Sequence, residues 1–124
     1  MERIPEKRVL WISRHTMTNT QKADLERIMG GAVRLTAWAD TVTDVEALRP
    51  VVEQADAVAA VLPAEKLAQL LTVAGNRPVL QAVSARCPTG QWTTLPDGRR
   101  EQEFAFVHQG WQQILDIRIQ TKAL

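Results

Sequence analysis

A hydroxyl, a guanidinium, an imidazole and a second hydroxyl follow one another at Ser13-Arg14-His15-Thr16, directly after the apolar run Val9-Leu10-Trp11-Ile12. These groups suit the gripping of a phosphate. Arginine meets phosphate oxygens as a planar fork, hydroxyls add hydrogen bonds, and imidazole can move a proton near neutral pH. A third hydroxyl and a second guanidinium stand at Ser84 and Arg86, after a mostly apolar segment over residues 78–83. Pro63 follows a third run, residues 57–62. Ser13, Arg14 and His15 are therefore candidate catalytic residues, and Thr16, Ser84, Arg86 and Pro63 candidate ligand contacts. Trp38, if exposed, adds a surface on which a base could stack. The plainer alternative is that Arg14 and Arg86 are solvated and that Ser13 and Thr16 only cap a helix.

Other chemistries find less support. Cys87 is the sole cysteine, which excludes an internal disulfide and a multi-cysteine zinc site. Arg86 adjoins it, but no helix clearly follows to lower its pKa, so an inert thiol is expected. The two histidines, His15 and His108, lie far apart, and no acidic pair stands at ligand spacing, so no metal is expected. His108 reads as structural or as a surface residue. Neither a GxGxxG fingerprint nor a P-loop occurs, and Gly30-Gly31 ends a helix, the wrong end for phosphate. No cofactor is expected.

The bulk numbers bound the partners. A chain of 124 residues, 45% hydrophobic and 23% charged, suits one globular domain spanning residues 1–124. A formal net charge of +1 provides no global field for duplex nucleic acid or an anionic membrane. No stretch approaches the roughly 18 apolar residues that span a bilayer. The charged segment Met1 to Arg8, with Pro5, has no apolar h-region and does not read as a signal peptide. With a lone cysteine, a reducing cytoplasm is the expected setting.

The elements that would position these residues alternate. Residues 9–12 form an uninterrupted apolar run, the pattern of a strand covered on both faces. Thr18 and Gln21 make a capping box, Leu25, Ile28 and Met29 a helical stripe, and Gly30-Gly31 a stop. A second strand covers residues 33–38. Thr43 and Glu46 suggest another capping box, before a helix that Pro50 should kink or restart. The run at 57–62 is the best central strand, Pro63 opens a helix carrying Leu67, Leu70, Leu71 and Ala74, and residues 78–83 form a fourth strand ending at Ser84. This β-α-β-α-β-α-β alternation argues for parallel strands with right-handed crossovers. The expectation is an α/β, Rossmann-like three-layer sandwich with its first four strands ordered 3-2-1-4 or in a close variant of that order. After a break at Pro88-Thr89-Gly90, residues 92–95 and 99–107 read as a β-hairpin about Pro96-Asp97-Gly98. A helical turn or tight loop near Trp111 and a last strand at 117–120 complete a mostly parallel sheet with an antiparallel extension. Ligands of such sheets sit beyond the carboxyl ends of the strands, which again selects residues 13–16, 62–63 and 84–87.

The segment Val9-Leu10-Trp11-Ile12-Ser13-Arg14-His15-Thr16-Met17-Thr18 resembles the small CRISPR-associated ring nucleases, whose CARF-like domain is Rossmann-like. The likeness covers about the first third of the chain by motif and the strand–helix layout by pattern. It implies a homodimer that binds a cyclic oligoadenylate, cyclic tetra-adenylate first among them, across its two-fold axis. It also implies metal-independent cleavage by in-line attack of a ribose 2′-hydroxyl, switching off type III CRISPR signalling in antiviral defence. Arg14 would then hold phosphate, Ser13 and Thr16 would hydrogen-bond phosphate or ribose, and His15 would assist proton transfer. Ser84 and Arg86 rest on the strand-end rule alone. Arg14-His15 is also similar to the Arg-His-Gly of histidine phosphatases, with His15 as nucleophile and His108 as second histidine; here Thr16 replaces the glycine and the chain is short. A non-catalytic nucleotide-sensing domain is the third reading.

Overall fold

The apolar run after Arg8 forms the inner part of β1 (Lys7–Ile12), and its last four residues are all buried. The computed structural model describes residues 6–124; the signal-peptide reading of the amino terminus rests mainly on residues 1–5, which lie outside them. Around β1 stand β2 (Val33–Trp38), β3 (Ala57–Ala60), β4 (Val79–Thr94) and β5 (Arg100–Ile114), with helices α1 (Asn19–Met29), α2 (Arg49–Glu53) and α3 (Ala64–Ala74) between the first four. The fold is α/β with one five-stranded, mostly parallel sheet ordered β2-β1-β3-β4-β5. Among the described residues only the β4–β5 pairing is antiparallel.

Over the first four strands this is 2-1-3-4, which differs from 3-2-1-4 in placing β3 on the far side of β1. The strands' own composition supplies the reason. β2 exposes Arg34, Thr36 and Ala37 and fully buries only Val33, so it belongs at an edge. β3, Ala-Val-Ala-Ala, is buried at every position and needs a strand on each side. β1 therefore lies between β2 and β3.

Alternation along β1 divides the core. Leu10 and Ile12 pack with Val45, Leu48, Val52, Leu67 and Leu70 from the α2 and α3 region. Val9 and Trp11 pack with Met17, Leu25 and Leu80 on the α1 side. Both sides of β1 are thus covered, which is why its sequence shows no polar alternation.

Local signals explain the helix ends. Thr18 caps α1, accepting from the Gln21 amide at 3.1 Å, while the Gln21 side chain returns to the Thr18 amide at 2.9 Å. Gly30 closes the helix at φ +80°, a conformation a Cβ disfavours. The expected Thr43–Glu46 box is corrected: Asp44 is the cap, and its carboxylate accepts from the Glu46 amide at 3.0 Å. Asp44 lies two residues before that amide, the reach an Asx turn requires. Pro50 restarts the chain as expected, a 3-10 turn at Val45–Leu48 giving way to α2.

The carboxyl-terminal third departs further from expectation. β4 does not end at Ser84; it continues to Thr94. The expected break at 88–90 becomes a register shift between Pro88 and Trp92, absorbed by Gly90 at φ +84°. The hairpin turn does fall at residues 96–98, where the Leu95 amide donates to the Arg99 carbonyl at 2.7 Å. Residues 108–111 lie within β5 and are not a helical turn, because pairing with β4 continues through them. Residues 117–120 are not a strand, since no neighbour pairs with them.

β5 also holds α1 in place. Trp111 donates from its indole nitrogen to the Gln21 carbonyl at 3.1 Å and meets Trp11 edge-on, ring centres 6.0 Å apart. His108 Nε2 lies 2.9 Å from Asp24, which also pairs with Arg27 at 2.8 Å. The His108 hydrogen bond, then Arg27, hold the Asp24 carboxyl below the usual aspartate range. A carboxyl depressed on folding stabilises the protein above its unfolded pKa and loses that contribution as pH falls through the folded value. Asp24→Asn should therefore flatten the acid limb of a stability–pH profile measured by urea denaturation, with the smallest difference from wild type at the most acidic pH. No helix among the described residues is long and apolar enough to cross a membrane.

Candidate functional site

β1 hands the chain to β2 on one side, while β3 pairs with β1 on the other. Connections therefore leave the carboxyl ends of β1 and β3 in opposite directions, which opens a crevice between them. A cavity of about 300 Å³ occupies this place. The turn after β1 lines it with Ser13, Arg14 and His15, the segment after β2 with Asp40 and Thr41, and the start of α3 with Pro63 and Lys66.

The turn after β1 is fixed on several sides. Ser13 is buried, and its hydroxyl accepts from the His15 amide at 3.0 Å, a serine turn. The Ser13 amide donates to the Trp38 carbonyl at 3.1 Å. The indole of Trp11, itself buried, donates to the His15 carbonyl at 2.8 Å. The backbone of His15 is thus clamped while its side chain stays exposed. Trp11→Phe should lower stability by about 2 kcal/mol through the lost hydrogen bond and lost volume, read as a lower urea midpoint.

Charge is distributed round the rim. The Arg14 guanidinium donates to the Thr41 hydroxyl, which draws the segment after β2 toward β1. Lys66 donates to the Thr43 carbonyl at 3.3 Å. Pro63 is the cap of α3 and makes no side-chain capping hydrogen bond, so the first amides of that helix keep their donors for other acceptors. Asp40 is the acid on this rim. Two cations, a buried hydroxyl, an imidazole and a helix N-terminus around one small cavity can hold an anionic group and neutralise charge that develops on it. Among the described residues no three His, Cys, Asp or Glu side chains cluster as metal ligands.

The structure thus brings Ser13, Arg14, His15 and Pro63 together. Thr16 lines a smaller adjoining hollow of about 170 Å³ with Trp11 and Leu35. Trp38 is half-buried against the core, contrary to an exposed stacking surface, because residues 10 and 12 of β1 pack beside it. Its carbonyl, rather than its ring, serves the turn. Ser84 and Arg86 do not lie at a strand end, since β4 runs on past them. Ser84 borders a different hollow, shared with Thr18, Gln21 and Phe106, and Arg86 lies over the Phe104 ring. His108 is bonded to Asp24 beside α1 and does not line the crevice with His15. Cys87 is half-buried on the hairpin.

Sequence reasoning missed Lys66 and Thr41. Lys66 had a usable signal: it lies three residues after Pro63, in the first turn of a helix that opens at a strand's carboxyl end. Thr41 had none, since its role depends on where Arg14 points. Compared with protein-family models, with curated proteins and with solved structures, the chain finds no match in any of the three.

Proposed function

We propose that the crevice between β1 and β3 binds a cyclic oligoadenylate, cyclic tetra-adenylate first among them, and cleaves it without a metal. The observation that carries this reading is the convergence of Ser13, Arg14, His15 and Lys66 on one cavity at the point where the strand order reverses. The resemblance of residues 9–18 to the ring nucleases points the same way, as does an α/β fold with core on both faces of a mostly parallel sheet.

In the proposed reaction a ribose 2′-oxygen attacks the adjacent phosphorus in line. The bond from phosphorus to the 5′-oxygen breaks, and the 5′-oxygen takes up a proton as the 2′-hydroxyl loses one. Positioning and charge stabilisation supply most of such a rate. Arg14 and Lys66 face the charge that builds on the phosphoryl oxygens, Ser13 fixes the turn, and His15 moves the proton. A cavity of about 300 Å³ is small for a cyclic tetranucleotide. The ring therefore reaches beyond one crevice, which fits a homodimer sharing it across a two-fold axis.

Incubation of the pure protein with cyclic tri-, tetra- and hexa-adenylate in EDTA, followed by mass spectrometry, tests the reading. Linear products from one ring size support it. Intact rings that nonetheless bind would make the crevice a sensor, and rings that neither bind nor open would overturn the proposal.

A further inference from the structure

β3 pairs with β4 only at Val79 and Leu80, yet β4 and β5 stay paired as far as Thr94 opposite Arg100. The remainder is a two-stranded ribbon. Because β4 is parallel to β3, it rises from the edge of the sheet that also holds the crevice. A long ribbon of two strands has little stability of its own in water, and its side chains need a reason to stay exposed.

The pairing register sorts those side chains, since directly opposed residues share a face. Arg86 opposes Phe106, Pro88 opposes Phe104, Trp92 opposes Gln102 and Thr94 opposes Arg100. Trp92, Phe104, Phe106, Arg86 and Arg100 therefore share one face. Direct contacts agree: the Arg86 guanidinium lies 4.0 Å from the centre of the Phe104 ring and that of Arg100 5.6 Å from Trp92. Glu101 and Glu103 alternate to the opposite face, where Glu103 accepts from the Thr93 hydroxyl. Phe106 is 79% exposed, Trp92 51% and Phe104 41%. One face of the ribbon is thus aromatic and cationic, and the acids of β5 lie on the other.

We propose that the Trp92–Phe104–Phe106 face of the hairpin is a docking platform for single-stranded nucleic acid. Unpaired bases stack on aromatic rings and on guanidinium planes, and Arg86 and Arg100 meet the phosphates between them. The rings occupy successive two-residue rows, about 7 Å apart, suited to an extended strand. Duplex bases are already stacked and cannot use the rings. A second copy packed face to face would set arginines against arginines while its acids point away, so charge favours a polyanion. This inference does not rest on the reading of the crevice.

Fluorescence anisotropy of the full chain with a labelled short oligouridylate tests it, over a range of salt and against a duplex of equal length. Saturable binding is expected, weaker for the duplex. Trp92→Ala and Phe106→Ala should each weaken it about tenfold, equivalent to about 1.4 kcal/mol. Arg86→Ala should reduce the log–log salt slope by about 0.7. Phe106 lies outside the crevice, so Phe106→Ala should keep ring cleavage, which separates failure of this inference from failure of the crevice reading. Circular dichroism checks that the variants fold. Absent saturable binding, or alanine variants that bind like wild type, would overturn the proposal. So would a wild-type dimer in sedimentation that Phe106→Ala dissociates with no oligonucleotide bound, which would assign the face to a second copy.

Discussion

Arg14→Ala should slow cleavage of cyclic tetra-adenylate about a hundredfold, the size of effect seen when a preorganised donor to a developing charge is removed. The argument rests on placement. Arg14 follows a buried strand, its guanidinium is tethered to Thr41, and it lines the cavity with His15 and Lys66. Its side chain is exposed, so its loss should leave the unfolding midpoint nearly unchanged. Arg14→Lys should recover only part of the rate, because an ammonium restores the charge but not the planar fork. Initial rates by mass spectrometry in EDTA give the comparison. If Arg14→Ala turns over at the wild-type rate, the phosphate is not held in this crevice.

Leu25→Ala should cost about 3 kcal/mol, a large share of the roughly 5–15 kcal/mol that holds a domain of this kind together. Leu25 is the one fully buried residue of α1 and packs in the cluster of Val9, Trp11, Met17 and Leu80. The polar ties on the helix are the Trp111 indole on the Gln21 carbonyl, His108 on Asp24, and the Val33 amide donating to the Glu26 carboxylate. The urea midpoint should fall with an unchanged slope. Hydrogen exchange should rise first in α1 and in the turn leading into it, the segment that carries His15. A loss under about 1 kcal/mol would mean that α1 is held by something other than this cluster.

The first turn of the site was legible because its logic is local. An apolar strand, Ser13-Arg14-His15-Thr16 and a capping box at Thr18 stand consecutively, and the strand-end rule then points to the right edge of the sheet. The same rule misled at Ser84 and Arg86. It depends on where a strand stops, and polar residues in a two-stranded ribbon look like a strand end when the partner strand is not visible. The aromatic and charged faces of the ribbon were hidden for a related reason: they depend on the register between residues 84–94 and 100–108, which the shift at Pro88/Trp92 resets.

The chain's own order of residues determined the local features. These are the alternation of parallel strands and helices, the Thr18–Gln21 cap, the left-handed stop at Gly30, the restart at Pro50 and the hairpin turn at Pro96-Asp97-Gly98. Each depends on hydrogen bonds and backbone angles within a few residues. Tertiary structure alone decided that β3 lies beside β1, that Thr41 joins Arg14 at one cavity, and that Arg86 sits on Phe104 away from that cavity. Those outcomes depend on pairings between distant segments, chosen by how much apolar surface each order buries, and short-range spacing carries no record of that competition.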